Sequence, residues 1–246
     1  MFQLTDSDKK ARCLCGFPLH INELAIYPIS VRQVIEVGET QYNSYIMLLL
    51  KPNILFENFL KDVKNIDSED IEKITKLEIL LLFCSLYPQF IDNIAKAFNF
   101  FTGKDIVFNQ EGYFEIKDMD IKVDEEFYNQ FVHIIELQTY MFKQEEEKVL
   151  SKKAKEILDQ KKKSQEKIDR LKNKDNSPLT ITDYISIVSA KSYEMDMQKC
   201  LDMTIYALFD YVERHALFDN YDIGVKQLLA GAKADQVNLK HWLSKL

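Results

Sequence analysis

The six glycines of this chain are the residues on which phosphate-binding and nucleophile-positioning motifs would depend. Such motifs need closely spaced glycines, because only glycine lets the backbone approach a phosphate or make the sharp turn before a nucleophile. The six are Gly16, Gly38, Gly103, Gly112, Gly224 and Gly231. No two of them have the required spacing, which excludes the common forms of dinucleotide-binding proteins, P-loop proteins and α/β-hydrolases.

The cysteines and the paired acids predict no bound metal. Cys13 and Cys15 form a C-x-C pair, but no second pair and no nearby histidine completes four zinc ligands. Asp118 and Asp120 have the spacing of the first calcium-loop ligands, yet a lysine and a valine stand where the loop needs a ligand and a glycine. We therefore expect reduced thiols, and acids on a solvated strand edge.

The histidines and carboxylates form no catalytic set that the sequence supports. The four histidines are His20, His133, His215 and His241. They are far apart, and none stands in an H-E-x-x-H arrangement. Carboxylate pairs are abundant, but no apolar pattern selects one pair for acid–base work. The sequence predicts no catalytic residues, no cofactor and a non-enzymatic protein.

The composition indicates which elements must position any binding residues. Glycine and proline number only 6 and 5 among 246 residues, against typical usage of about 7 % and about 5 %. Sheet-rich folds need many turns, whereas 46 % hydrophobic and 29 % charged residues suit a globular core covered by helices. We predict a mainly helical α+β protein.

Targeting and membrane signals are weak. The N-terminus lacks the apolar core of a signal peptide. The longest apolar stretches, Tyr45–Leu50 and Ile79–Cys84, are far shorter than the roughly 20 residues of a membrane-spanning helix. We expect a cytosolic protein without a membrane partner.

An N-terminal α+β domain is predicted over residues 1–142, with two short hairpins and helices. Alternating apolar residues from Cys13 to Glu39 predict strands around a turn at Asn22-Glu23, followed by a helix that Ser30 caps and Gly38 ends. Further predictions are helical structure from Tyr42 to Leu60 with a break at Lys51-Pro52, a helix capped by residues 67–70, a helix from Pro88 to Gly103, a hairpin around Glu111-Gly112 and a helix capped by Asp124.

Residues 143–176 are predicted to form a charged helical connector. Residues 143–175 hold 12 basic and 8 acidic side chains, a net charge of +4. Because the whole chain has a net charge of −7, the residues outside this segment have a net charge of −11. Three interpretations stay open: a solvated helix with ion pairs, a coiled coil completed by a partner, and a nucleic-acid contact. The interspersed acids and the lack of aromatic residues argue against nucleic acid.

A C-terminal helical domain is predicted over residues 177–246. Thr180 and Asp183 form a capping-box pattern at the start of its first helix. A second helix follows Thr204, and a third is expected from about Asp219 to Ala230. The candidate partner contacts are apolar or aromatic residues for which packing in the core is the alternative: Tyr206, Tyr211, Leu228 and Trp242.

Several runs resemble proteins encoded among the tail genes of bacteriophages of low-GC Gram-positive bacteria. The runs are Cys15–Leu19, Tyr27–Gly38, Met203–Asp210, Asp219–Ile223, Leu228–Lys233 and Leu239–Trp242. The plan of an acidic, mostly helical protein that begins with a hairpin is also similar to that of tail assembly chaperones.

The resemblance implies a tail morphogenesis factor in the host cytoplasm whose partners are other tail proteins. A tail assembly chaperone would keep the tape measure protein soluble until tube subunits polymerise around it. The alternatives are a structural subunit of the tail or baseplate, which would be found in the virion, and a nucleic-acid-binding protein that uses the lysine-rich connector. Self-association is left open.

Overall fold

The computed structural model of the protein describes residues 4–55, 74–140, 179–233, 237, 239 and 241–243. Helices dominate the described residues, and the short strands form two small antiparallel sheets. The predicted class, mainly helical α+β, is thus confirmed. The charged connector, residues 143–176, lies outside the described residues.

The N-terminal elements surround the first hairpin. They are α1 (Asp6–Cys15), β1 (Leu19–Ile21), β2 (Leu24–Ile26), α2 (Val31–Val37), α3 (Glu39–Leu50) and α4 (Pro52–Leu55). The turn at Asn22, where φ is 52°, and the Ser30 cap of α2 confirm two predictions. The strand-like interpretation from Cys13 was wrong at its start, because a capping box between Thr5 and Asp8 begins a helix that contains Cys13 and Cys15.

The middle of the chain packs helices around a three-stranded sheet. Its elements are α5 (Lys76–Leu86), a 3₁₀ turn (Pro88–Phe90), α6 (Ile91–Thr102), β3 (Ile106–Phe108), β4 (Phe114–Ile116), β5 (Ile121–Lys122) and α7 (Glu125–Gln138). The second hairpin and the Asp124 cap are confirmed. The predicted cap at 67–70 lies outside the described residues, and the described helix α5 is capped by Thr75.

Asp118 and Asp120 lie in a turn and not on a strand edge, which corrects that expectation. The turn reverses the chain a second time, so that Ile121 pairs with Ile116 in an unpredicted third strand. Asp120 has a φ of 51°, a left-handed conformation that aspartate tolerates better than most residues.

The C-terminal elements are α8 (Ile181–Lys191), α9 (Met197–Asp202) and α10 (Ile205–Leu229). The capping box of Thr180 and Asp183 is confirmed. The two helices predicted after Thr204 are one helix of 25 residues. Asp219, which suggested a new cap, instead pairs from the side of this helix with Lys191 of α8. No proline stands between the two predicted helices to break the run.

The described part of the C-terminal region shares the main apolar core with the N-terminal elements. Ile181, Val188, Ile205 and Leu208 are buried in the same cluster as residues of the first hairpin and of α7. Ser30 and Thr204 form an isolated antiparallel bridge, flanked by backbone hydrogen bonds from Val31 to Met203 and from Ile205 to Ile29. The start of α10 is thus held in register against the end of the hairpin.

Two buried tyrosines allow a matched test of the core. The Tyr128 hydroxyl donates to the Leu49 carbonyl at 2.6 Å, whereas the buried Tyr42 hydroxyl has no hydrogen-bond partner among the described residues. We expect Tyr128→Phe to lower the free energy of unfolding by about 1–3 kcal/mol, because the Leu49 carbonyl loses its donor. Tyr42→Phe should leave it unchanged or raise it. Urea denaturation measures both variants, and equal losses would contradict the assignment.

Within the described ranges, no single helix is long and apolar enough to cross a membrane. The pair Lys76–Leu86 and Pro88–Thr102, bent by 118°, meets the length and composition requirements only when its two helices are taken together.

Candidate functional site

Helix α10 changes character along its length. Its first turn is buried in the core at Ile205, Tyr206, Ala207 and Leu208, whereas beyond this turn only Gly224 is buried. Phe218, Ile223 and Leu229 are exposed apolar residues on this second part. A long helix that leaves the core with large apolar side chains on its surface is typical of a binding element.

A groove of about 600 Å³ lies along the exposed part of α10. Its walls come from the end of α8, the middle of α10 and the C-terminal segment. The lining residues are Lys191, Tyr211, Arg214, His215, Phe218, Asp219 and Trp242. The Tyr211 and His215 rings lie 4.8 Å apart, and Phe218 meets Trp242 edge-on at 6.0 Å between ring centroids. The floor of the groove is therefore aromatic.

The polar groups of the groove are largely engaged with one another. Lys191 forms an ion pair with Asp219 across the rim, and Arg214 Nη1 donates to the Trp242 carbonyl at 3.3 Å. Burial lowers the pKa of His215 below its usual value, and the charge of Lys191 lowers it further. His215 is therefore mostly neutral at pH 7 and contributes a ring face. The groove can bind an apolar surface, and its rim adds polar contacts.

The structure separates the four predicted partner contacts. Tyr211 and Trp242 line the groove. Tyr206 is only 5 % exposed and packs edge-on against Tyr140 at 5.0 Å, so it is part of the core. Burial raises its pKa to about 12. Leu228 is half-buried on α10, outside the groove lining.

Sequence reasoning missed Phe218 and His215, although a signal for them exists. Tyr211, His215 and Phe218 follow a spacing of four and three residues, which places them on one face of a helix. The two predicted helices concealed this stripe, because Phe218 fell in the gap before the helix expected from about Asp219, whereas the structure has one continuous helix.

The candidates for metal and thiol chemistry give no second site. The described residues contain no group of three or more histidine, cysteine or acidic side chains that could hold a metal. Burial raises the pKa of Cys13 to about 12, which keeps its thiol protonated, and Cys15 is exposed on the same helix. His20 and His133 line a smaller cleft of about 190 Å³ beside α7. Two histidines alone do not complete a metal site.

A family model matches the part of the chain that carries the groove. Residues 172–246, which make up under a third of the chain, match the model of a phage-derived protein family. The model is that of the YomV second domain. Neither the curated proteins nor the solved structures contain a match to the chain. The resemblance to phage proteins is confirmed at this level.

Proposed function

We propose that the protein is a non-enzymatic phage tail morphogenesis factor, a tail assembly chaperone that binds the tape measure protein in the host cytoplasm. The observation that carries the proposal is the aromatic groove on the exposed part of α10. The groove lies within the residues that match the phage-derived family. The wider resemblance of the chain to phage tail proteins supplies the identity of the partner.

The geometry of the groove suits an amphipathic helix. Such helices bind by placing residues at positions i, i+3 or i+4, and i+7 into an apolar groove. Tyr211, His215 and Phe218 present rings at that same spacing. Aromatic residues and arginine also dominate the binding energy of protein interfaces. A long helical partner with exposed apolar side chains would gain solubility by covering them here.

The proposal is tested by co-expressing the full chain with the tape measure protein of the same phage. Phe218 is 52 % exposed in the groove, whereas Phe17 is 60 % exposed in the connection between α1 and β1 and serves as the matched control. We expect Phe218→Ser to weaken binding at least about tenfold, or about 1.4 kcal/mol, and to lower the soluble yield of the partner. Phe17→Ser should behave as the unchanged chain does.

Two outcomes would contradict the proposal. The first is a tape measure protein that stays insoluble with or without this chain. The second is equal binding by the Phe218→Ser and Phe17→Ser variants. Quantifying the chain in purified virions separates the chaperone from a structural subunit: a chaperone is absent, and a subunit is present in fixed copy number.

A further inference from the structure

The C-terminal segment folds back along α10 and covers part of its exposed face. The ring of Trp242 meets Phe218, and the ring of His241 meets Tyr221 at 4.8 Å. One turn further along α10, Leu239 lies against Gly224. The residue numbers of the C-terminal segment fall as those of the α10 residues that they contact rise, so the segment runs antiparallel to the helix. We call the described residues of this segment, Val237, Leu239 and His241–Leu243, the strap.

Gly224 is the point of closest approach between the strap and α10. A Cβ atom at this position would lie 2.8 Å from Leu239 Cδ1 and 3.2 Å from Val237 Cγ1. Glycine weakens a helix interior relative to alanine. Its φ here is not in the left-handed region, so the backbone does not require glycine. What glycine provides at this position is space for the strap.

Apolar and ring contacts hold the described residues of the strap against α10. The hydrogen bond recorded between it and α10 joins Arg214 to the Trp242 carbonyl at 3.3 Å, a long distance for such a bond. Leu239 and Trp242 remain 41 % and 39 % exposed. An apolar segment that is half-covered can be displaced by a segment that covers more of the same face.

The covered face continues the aromatic groove. Tyr221, Gly224 and Leu228 follow Phe218 at intervals of three, three and four residues, so all four lie along one side of α10. The groove as it stands spans about two turns between Tyr211 and Phe218. With the strap removed, the same side of the helix would offer a longer stripe that ends at Leu228.

We propose that the strap is an autoinhibitory occupant of α10 and that the amphipathic helix of the partner displaces it. This inference rests on the proposed function, since it describes how that site is regulated. In the free protein the strap covers the stripe around Gly224. In the complex the partner helix extends from the groove over this stripe, and Trp242 leaves Phe218.

Trp242 is the single tryptophan of the chain, so its fluorescence reports the position of the strap. We compare Leu239→Asp, which places a charge against Gly224, with Leu243→Asp, which places the same charge at a tail residue that is 66 % exposed. Leu239→Asp should shift the emission to longer wavelength and raise quenching by iodide. Leu243→Asp should do neither. An unchanged spectrum in Leu239→Asp would overturn the inference.

A labelled synthetic peptide with the sequence of residues 233–246 tests occupancy without the partner. A tethered segment competes at millimolar effective concentration, so the strap of the unchanged chain should exclude the peptide. We expect the peptide to bind Leu239→Asp at least about tenfold more tightly than the unchanged chain or Leu243→Asp. Equal affinity for all three would overturn the inference.

The tape measure protein then distinguishes the two proposals. If Leu239→Asp retains the tape measure protein more tightly than the unchanged chain does, the inference is supported. Equal retention by both overturns autoinhibition and leaves the proposed function intact. If neither chain retains the tape measure protein but the peptide still binds Leu239→Asp more tightly, the proposed partner is overturned. The strap is then supported as the occupant of this face.

Discussion

Replacing Phe98 with alanine is expected to lower the free energy of unfolding by about 3–5 kcal/mol. Phe98 is fully buried on α6, and its ring packs against Phe114 and Phe131, each at 5.3 Å, and against Tyr128 at 6.2 Å. Alanine would leave a cavity among three rings that belong to two different elements. Because β4 and α7 both lose a packing partner, the surrounding core cannot close by moving one side chain.

Urea denaturation followed by circular dichroism measures this loss, and Phe17→Ala is the matched control. Phe17 is an exposed phenylalanine in the connection between α1 and β1, so its removal should change the free energy of unfolding by no more than about 0.5 kcal/mol. A loss below about 1 kcal/mol for Phe98→Ala would show that these rings are not packed as the structure describes.

Replacing Thr204 with valine is expected to lower the free energy of unfolding by about 2–3 kcal/mol. The Thr204 hydroxyl makes two hydrogen bonds in a buried place. It accepts from the Ala207 amide at 3.0 Å as the cap of α10, and it donates to the Cys13 carbonyl at 2.8 Å. Valine keeps the shape of the side chain but removes both bonds and leaves two backbone groups without these partners.

Thr180→Val is the control for Thr204→Val, because Thr180 caps α8 at an exposed position. There water can replace the lost bond, so we expect a loss of about 1 kcal/mol. The difference between the two losses of free energy of unfolding measures how much the contact between the start of α10 and the N-terminal region contributes to stability. Equal losses would contradict a contribution from the bond to Cys13.

Local signals in the sequence predicted the elements that depend on near neighbours. Ser30 and Thr180 cap their helices through residues three positions away, and Asn22 makes a turn within a hairpin. These interactions close within a few residues, so a pattern of residue types is enough to indicate them. The prediction is wrong at α1, because the alternation of apolar residues from Cys13 indicates a strand, whereas the capping box of Thr5 and Asp8 extends a helix to Cys15.

The candidate site was only half predictable for a different reason. Tyr211 and Trp242 were predicted as partner contacts from their aromatic side chains, and both line the groove. The same reasoning selected Tyr206, which the fold buries against Tyr140. Burial depends on what the distant elements cover, and neither helix spacing nor residue type reveals it.

The division into domains stays a prediction, and the structure adds a contact that bears on how the parts work together. The family match begins at residue 172, close to the predicted boundary at 177. The described residues on either side of the connector nevertheless share one apolar cluster. Arg32 of α2 also forms an ion pair with Asp202 of α9 at 2.6 Å.

The sequence by itself determined the mainly helical class, the helix caps at Ser30, Asp124 and Thr180, both hairpins and the lack of glycine-dependent phosphate motifs. These properties follow from composition and from interactions between residues a few positions apart. Only the tertiary structure decided that α10 is one helix, that its first turn is buried against Cys13 and Ser30, and that the strap returns to Gly224. Those contacts join residues that are far apart in the chain or depend on which face of a helix the core covers, and local patterns carry no information about either.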